Sequence, residues 1–284
     1  MGGRPSVVQA PRPGRYNRVM PAAALDTAAY LGRIGVGAPA APTPAALALL
    51  HEAHCTAVPF ENLDILLGQP IRLDLASLQA KLVAGRRGGY CFEQNTLFQA
   101  ALEALGFRVT PLAARVRAGA TGVRPRTHML LRVDLDAGPF LADVGFGADG
   151  LLRPLPLAAG AELKVGPCAH RLAREGDLFV LQARTTAGWS DLYAFTLERQ
   201  YPVDYEVANH FTSTHPQSIF VLGLTAQRSW PERRALLRNR ELVVRGADGQ
   251  RVTSVRDPGH LLELLATVFD LAFPPGTRFS KPDF

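Results

Sequence analysis

At 284 residues the chain exceeds what a single hydrophobic core usually organises, so two or three packed modules are expected. Apolar residues make up 47% and charged residues 20%, an ordinary balance for a globular protein, and no apolar run approaches the length of a membrane span. The net charge is +6, and of 31 basic residues only Lys81, Lys164 and Lys281 are not arginine; the dispersal of the arginines, without aromatic–basic interleaving, argues against nucleic acid and favours a phosphate-bearing small molecule.

Cys55, Cys91 and Cys168 are too few and too far apart for a disulfide framework or a CxxC metal pair, and the chain opens with no signal-peptide pattern. A reducing, cytoplasmic setting is therefore expected. Residues 1–19 carry Arg4, Arg12, Arg15 and Arg18 with prolines and no acid, which reads as a disordered basic tail. Residues 20–106 read as a helical bundle. Asp26 caps a helix toward Arg33, Thr43-Pro44 opens one through about Cys55, and Asp74 starts another through Ala84 with Gly85 as its stop.

The next helix carries Phe98, Ala101, Leu102 and Leu105 on one face, with Gly106 at its end and Cys91 in its first turn. Unpaired N–H groups and the positive end of the helix dipole there favour a thiolate. Gly88 and Gly89 leave room for backbone to approach whatever the sulfur touches. Taken alone, Cys91 is also compatible with a small buried residue at a helix start.

From Phe107 the period becomes two. Strands are expected over 107–116, 127–135, 139–144, 169–175, 178–184 and 189–197, a meander that suggests a barrel spanning 107–205. A helix over 203–211 leads into a module at 206–284, with strands expected at 219–227, 241–245 and 251–255 and a final helix after Asp257-Pro258. The fold class is α+β.

Two patterns do not carry the chemistry that they spell. Gly145 to Gly150 reads GxGxxG after a strand, but Pro154 and Pro156 forbid the helix that a dinucleotide fold needs, so the glycines read as a tight loop where backbone approaches a ligand. His51, His54 and Cys55 share a helix face but lack a fourth ligand with suitable spacing, so no metal is expected and half-buried helix residues explain them.

His128 and Asp143 are the informative pair. His128 stands on the face of its strand opposite Met129, Leu131, Val133 and Leu135, and Asp143 is an acid in an otherwise apolar strand, costly unless paired. A thiol nucleophile needs a histidine to take its proton and a carboxylate to hold that histidine's tautomer. Spacing alone leaves the pairing open. A four-residue hairpin loop sets Asp143 opposite Arg132, and a bulge or register shift is needed to bring it to His128.

The chain resembles the arylamine N-acetyltransferase family in Val58-Pro-Phe-Glu-Asn-Leu-Asp64, Arg86-Arg-Gly-Gly-Tyr-Cys-Phe-Glu-Gln-Asn95, Arg126-Thr-His-Met-Leu-Leu131 and Leu141-Ala-Asp-Val-Gly-Phe-Gly147, with a weaker block at Asn209 to Phe220. The resemblance implies an N-terminal helical bundle, a central antiparallel β-barrel and a C-terminal α/β lid around a cysteine-protease-like core. It implies a triad of Cys91, His128 and Asp143. It also implies transfer of an acetyl group from acetyl-coenzyme A, through acetyl-Cys91, to the nitrogen of an arylamine, arylhydrazine or N-hydroxyarylamine. Phe60, Phe146, Phe220 and Thr127 fall at substrate-binding positions, and Thr127, Gly145 and Gly147 at coenzyme or acyl-pocket positions. A related thiol acyltransferase, amide synthase or hydrolase on the same triad is the alternative, and an inactive binding module a further one.

Overall fold

The computed structural model describes residues 24–147 and 149–283; the tail expected over 1–19 lies outside them. The helices begin where their capping residues stand. In α1 (Thr27–Ile34) the Asp26 carboxylate accepts from the Ala29 N–H, and in α2 (Pro44–Ala57) Thr43 accepts from Ala46. A short strand β1 (Phe60–Glu61) and helix α3 (Leu63–Leu66) follow. The helix expected from Asp74 to Ala84 is α-helical only over α4 (Leu75–Leu78), then widens into a π-helical turn over Gln79–Ala84. Leu78 and Leu82 remain buried through the change of pitch, which apolar spacing alone does not reveal. Helix α5 (Cys91–Ala104) starts on the cysteine itself.

A barrel-like sheet of eight strands comes next: β2 (Arg108–Val116), β3 (Arg126–Leu135), β4 (Gly138–Ala142), β5 (Leu155–Pro156), β6 (Glu162–Val165), β7 (Cys168–Glu175), β8 (Leu178–Thr185) and β9 (Gly188–Phe195). Its order, β5-β4-β3-β2-β9-β8-β7-β6, puts two consecutive strands at opposite edges. The segment that joins them bridges the gap, since Leu157 N donates to Pro139 O and Gly160 N to Leu172 O, so the sheet nearly closes. The expected strand over 139–144 ends early, at Ala142.

Helix α6 (Pro202–Thr214) and the turn α7 (Ile219–Leu222) lead to β10 (Thr225–Ser229), β11 (Arg233–Arg238), β12 (Glu241–Gly246), β13 (Gly249–Ser254) and α8 (Pro258–Phe269). The single strand expected over 219–227 is therefore a helical turn capped by Ser218, a break at Gly223 and a strand. The short strands β1, β5 and β6 and the arginine-rich β11 carry too little apolar alternation to be read from sequence. The C-terminal sheet, ordered β1-β10-β11-β12-β13, takes its edge from the N-terminal part of the chain, and Leu63 and Leu66 of α3 join its core with Leu261, Leu265 and Phe269 of α8.

β3 serves two cores at once. Met129, Leu131 and Val133 pack against the helices, while Leu130 packs inside the barrel. The site lies where these cores meet.

Candidate active site

The cysteine loop is built into the edge of β1. Gly89 bridges Phe60 in parallel, with Glu61 N donating to Gly89 O (3.1 Å) and Gly89 N to Pro59 O (3.3 Å). Gln94 of α5 donates to the same Gly89 carbonyl at 2.7 Å. A Cβ on Gly88 would lie 2.1 Å from Pro59 O and one on Gly89 2.7 Å from Glu93 Oε2. The close approach that requires these glycines is therefore to Pro59 and Glu93, not to a group beside the sulfur.

Ion pairs beneath the loop hold it down. Lys81 lies 2.7 Å from both Asp64 and Glu93, and Arg87 lies 2.7 Å from Glu61 and 2.8 Å from Asp64. The π-helical turn carries Lys81 to this cluster. Burial pushes the Glu93 carboxyl up to about 7 against the pull of Lys81. Glu93 also accepts from Tyr90 N at 3.1 Å, fixing the start of α5. The first i→i−4 bond of this helix is Gln94 N to Tyr90 O, so the N–H groups of Cys91, Phe92 and Glu93 precede its ladder.

Cys91 is buried, with its Sγ 3.6 Å from the Thr127 carbonyl. Thr127 is an extra residue in β3: Ala114 pairs with His128 and Arg115 with Arg126, leaving Thr127 in a bulge that pushes its carbonyl toward the sulfur. His128 Nε2 lies 2.7 Å from Asp143 Oδ2, and the ring stands within electrostatic reach of Cys91. Burial disfavours a charged ring, but the Asp143 carboxylate, its hydrogen bond and the neighbouring Cys91 outweigh it and push the His128 pKa up to about 10. Burial likewise opposes the Asp143 charge, yet His128 and hydrogen bonds from Asn95 Nδ2 and Gly145 N, both 3.0 Å, hold its carboxyl below the usual range. Arg132, the other partner considered for Asp143, pairs with Asp134 at 2.7 Å.

The aromatic residues singled out from the sequence flank these groups. Phe146 meets the His128 ring edge-on at 5.1 Å, and Phe60 and Phe220 lie 5.9 Å apart beside Tyr90. The glycines at 145 and 147 have internal reasons. A Cβ on Gly145 would lie 2.7 Å from Cys91 Cα, and one on Gly147, where φ is +93°, would lie 2.4 Å from Gln227 Oε1.

Three comparisons show which proteins the chain resembles. A family model described as N-acetyltransferase matches residues 44–276. The arylamine N-acetyltransferase / N-hydroxyarylamine O-acetyltransferase of Salmonella typhimurium is 39% identical over 246 residues, 86% of this chain and 88% of that one. The chain belongs to the arylamine N-acetyltransferase family. The Nocardia farcinica arylamine N-acetyltransferase structure superposes with a TM-score of 0.82 at 46% identity, covering 88% of this chain and 90% of that one. The Mycobacterium marinum arylamine N-acetyltransferase in complex with CoA superposes with a TM-score of 0.82 at 37% identity, covering 87% and 93%.

Within this arylamine N-acetyltransferase fold, several residues at the site were not assigned a role from sequence. Asn95 donates to Met129 O (2.8 Å) and Asp143 Oδ1, and accepts from Val144 N at 3.1 Å. Its signal was available, since Asn95 stands four residues after Cys91 on the same helix face. Tyr193 of β9, with its ring 4.8 Å from that of His128, carried no such signal. His51 and His54, expected to be half-buried, are fully buried. Both nitrogens of His51 and Nδ1 of His54 face Leu152 O, the Asp143 N–H and the Tyr30 hydroxyl.

Proposed function

We propose that the protein transfers an acetyl group from acetyl-coenzyme A to arylamines, arylhydrazines or N-hydroxyarylamines by a ping-pong mechanism through an acetyl-Cys91 thioester. The observation that carries this reading is the His128 imidazole held 2.7 Å from the buried Asp143 carboxylate, with Cys91 at the start of α5 hydrogen-bonded to the carbonyl of the residue before His128. The Asp143 charge favours imidazolium, so His128 is fitted to take the Cys91 proton.

The Cys91 thiolate attacks the thioester carbonyl, the carbon–sulfur bond to the coenzyme breaks, and His128 protonates the departing thiolate. The exchange of one thioester for another is close to isoenergetic. N–H groups at the start of α5 are suited to the oxyanion of the tetrahedral intermediate. In the second half the acceptor nitrogen attacks acetyl-Cys91, His128 takes the amine proton, and the Cys91 sulfur leaves as thiolate beside the imidazolium. Aromatic amines are neutral at physiological pH and so arrive as nucleophiles, whereas alkylamines are mostly protonated. For N-hydroxyarylamines the name of the Salmonella relative puts the acetyl group on oxygen, and the same base serves a hydroxyl.

A place for the coenzyme's phosphates is supported by a cavity of about 540 Å³ lined by Arg115, Arg117, Arg124 and Arg126 over Val116, Ala194 and Phe195. Arg126 directly precedes Thr127, and Arg115 and Arg124 have no carboxylate partner among the described residues, leaving positive charge for a polyanion. Phe60, Phe146 and Phe220 offer aromatic faces to a flat acceptor. Three free cysteines and the absence, among the described residues, of any helix long and apolar enough to cross a membrane support a cytoplasmic setting.

Intact-mass measurement after mixing with acetyl-coenzyme A tests the reading. One acetyl group is expected on Cys91, discharged on adding an arylamine. An equal adduct on Cys91→Ala, or none on the wild type, refutes it. Discharge by water at the same rate would mark a hydrolase.

A further inference from the structure

Beneath the triad, the chain breaks its strand in an unusual way. Ala142 is the last residue of β4 in register, opposite Leu131. The next three backbone N–H groups are all taken by side chains: Asp143 N by His51 Nε2 at 3.0 Å, Val144 N by Asn95 Oδ1 at 3.1 Å, and Gly145 N by Asp143 Oδ1 at 3.0 Å. The acceptor for the first comes from α2, far from β4 in sequence.

We propose that His51 is a positioning residue of the active site: as a neutral imidazole protonated on Nδ1, it accepts the Asp143 backbone N–H and holds the strand break from which the Asp143 carboxylate reaches His128. The tautomer follows from its two partners. A backbone N–H only donates and the Leu152 carbonyl, 3.1 Å from His51 Nδ1, only accepts, so Nε2 is bare and Nδ1 carries the hydrogen. One ring thus ties together both ends of the 143–152 loop.

Protonation would set Nε2–H against the Asp143 N–H. His51 is fully buried, which holds its pKa down to about 4. The titratable groups facing it are Asp143, Glu52 and His54, with the Cys55 sulfur 3.7 Å from Nδ1. His51 touches no reacting atom. It acts through Asp143 on the basicity of His128, and so on the reactivity of Cys91; the inference rests on the triad reading given above.

The test is the pH dependence of Cys91 alkylation by iodoacetamide, followed by peptide mass in the full chain, together with thermal unfolding. For the wild type the rate is expected to be nearly flat from about pH 6 to 9, as for a thiolate–imidazolium pair. For His51→Phe it is expected to be about tenfold slower at pH 7 and to climb with pH like an ordinary thiol, while His51→Gln, whose Oε1 can replace Nε2 as acceptor, stays within about threefold of wild type. A His51→Phe variant that melts earlier but keeps the wild-type profile overturns the proposal. If that variant does not fold, long-range proton–nitrogen NMR on the wild type decides, because an Nε2-protonated His51 is incompatible with it. A wild type whose Cys91 alkylates like an ordinary thiol overturns the triad reading, and this inference with it.

Discussion

His128 Nε2 and Asp143 Oδ2 are 2.7 Å apart although His128 lies within β3 and Asp143 just past the end of β4, with no register pairing between them. The hairpin between them closes through Asp136-Ala137 alone, with Leu135 opposite Gly138, so Arg132 faces Leu141. Continued by one step, this register would put Asp143 opposite Leu130, one same-face step from His128, where Cβ atoms are about 7–8 Å apart. The break after Ala142 closes the remainder.

Asp143→Asn keeps the shape of the side chain and removes its charge. Transfer of acetyl to Cys91 in a single turnover should slow by about 10³–10⁴-fold, because the imidazolium loses its stabilising partner. Arg132→Ala, which breaks only the pair with Asp134, should leave that rate near wild type. The reverse outcome would point to Arg132 as the functional partner.

The same pair sets a pH dependence of stability. His128 is raised from 6.5 to about 10, so the folded state holds this proton more tightly than the unfolded chain. Its contribution is full below about pH 6.5 and is lost as the pH rises toward 10. Asp143 is shifted the other way, and its contribution is lost on acidification below its unfolded value of about 3.8. Urea midpoints measured across the alkaline window should fall in the wild type and be flatter in Asp143→Asn.

Gly88→Ala places a methyl group 2.1 Å from a backbone oxygen that is itself held in the loop against β1. A loss of about 2–4 kcal/mol is expected, with slower Cys91 alkylation. Gly37→Ala, where no atom lies within 4 Å of the new Cβ, should change stability by no more than about 0.5 kcal/mol. Paired denaturation curves check both.

Lys81→Met leaves Glu93 and Asp64 without the ammonium that lies 2.7 Å from each. The expected loss is about 3–5 kcal/mol at neutral pH, and Glu93→Gln in the same background should recover part of it by removing the stranded charge. Because the Glu93 carboxyl is raised from 4.5 to about 7, its contribution to stability falls as pH rises through that interval. Thermal melts of the single and double variants at pH values on either side of the interval test this.

Phe220→Ala removes one ring of the Phe60–Phe220–Tyr90 group. The acetylation half-reaction should be unchanged, while kcat/KM for an aromatic amine falls about 10–100-fold, the loss expected for one buried ring. Separate pre-steady-state measurement of the two half-reactions distinguishes them.

Much of this protein is local in origin. Asp26, Thr43, Asp74 and Asp257 cap the helices that they were expected to start, because a side-chain oxygen satisfies an N–H within its own turn. The change of period after Phe107 marks the barrel, and Cys91 opens its helix, because both are properties of consecutive residues. The motifs around Cys91, His128 and Asp143 likewise identified the family. What the chain decides only when folded are contacts between distant elements. The length of the β3–β4 turn chose His128 over Arg132 for Asp143, and a one-residue bulge brought the Thr127 carbonyl to the sulfur. Gly88, before Cys91, is required by Pro59, about thirty residues upstream. His51, which reads as a zinc decoy in sequence, is given its hydrogen-bonding role by the tertiary structure, because the acceptor needed by a broken strand can come from any element packed beside it.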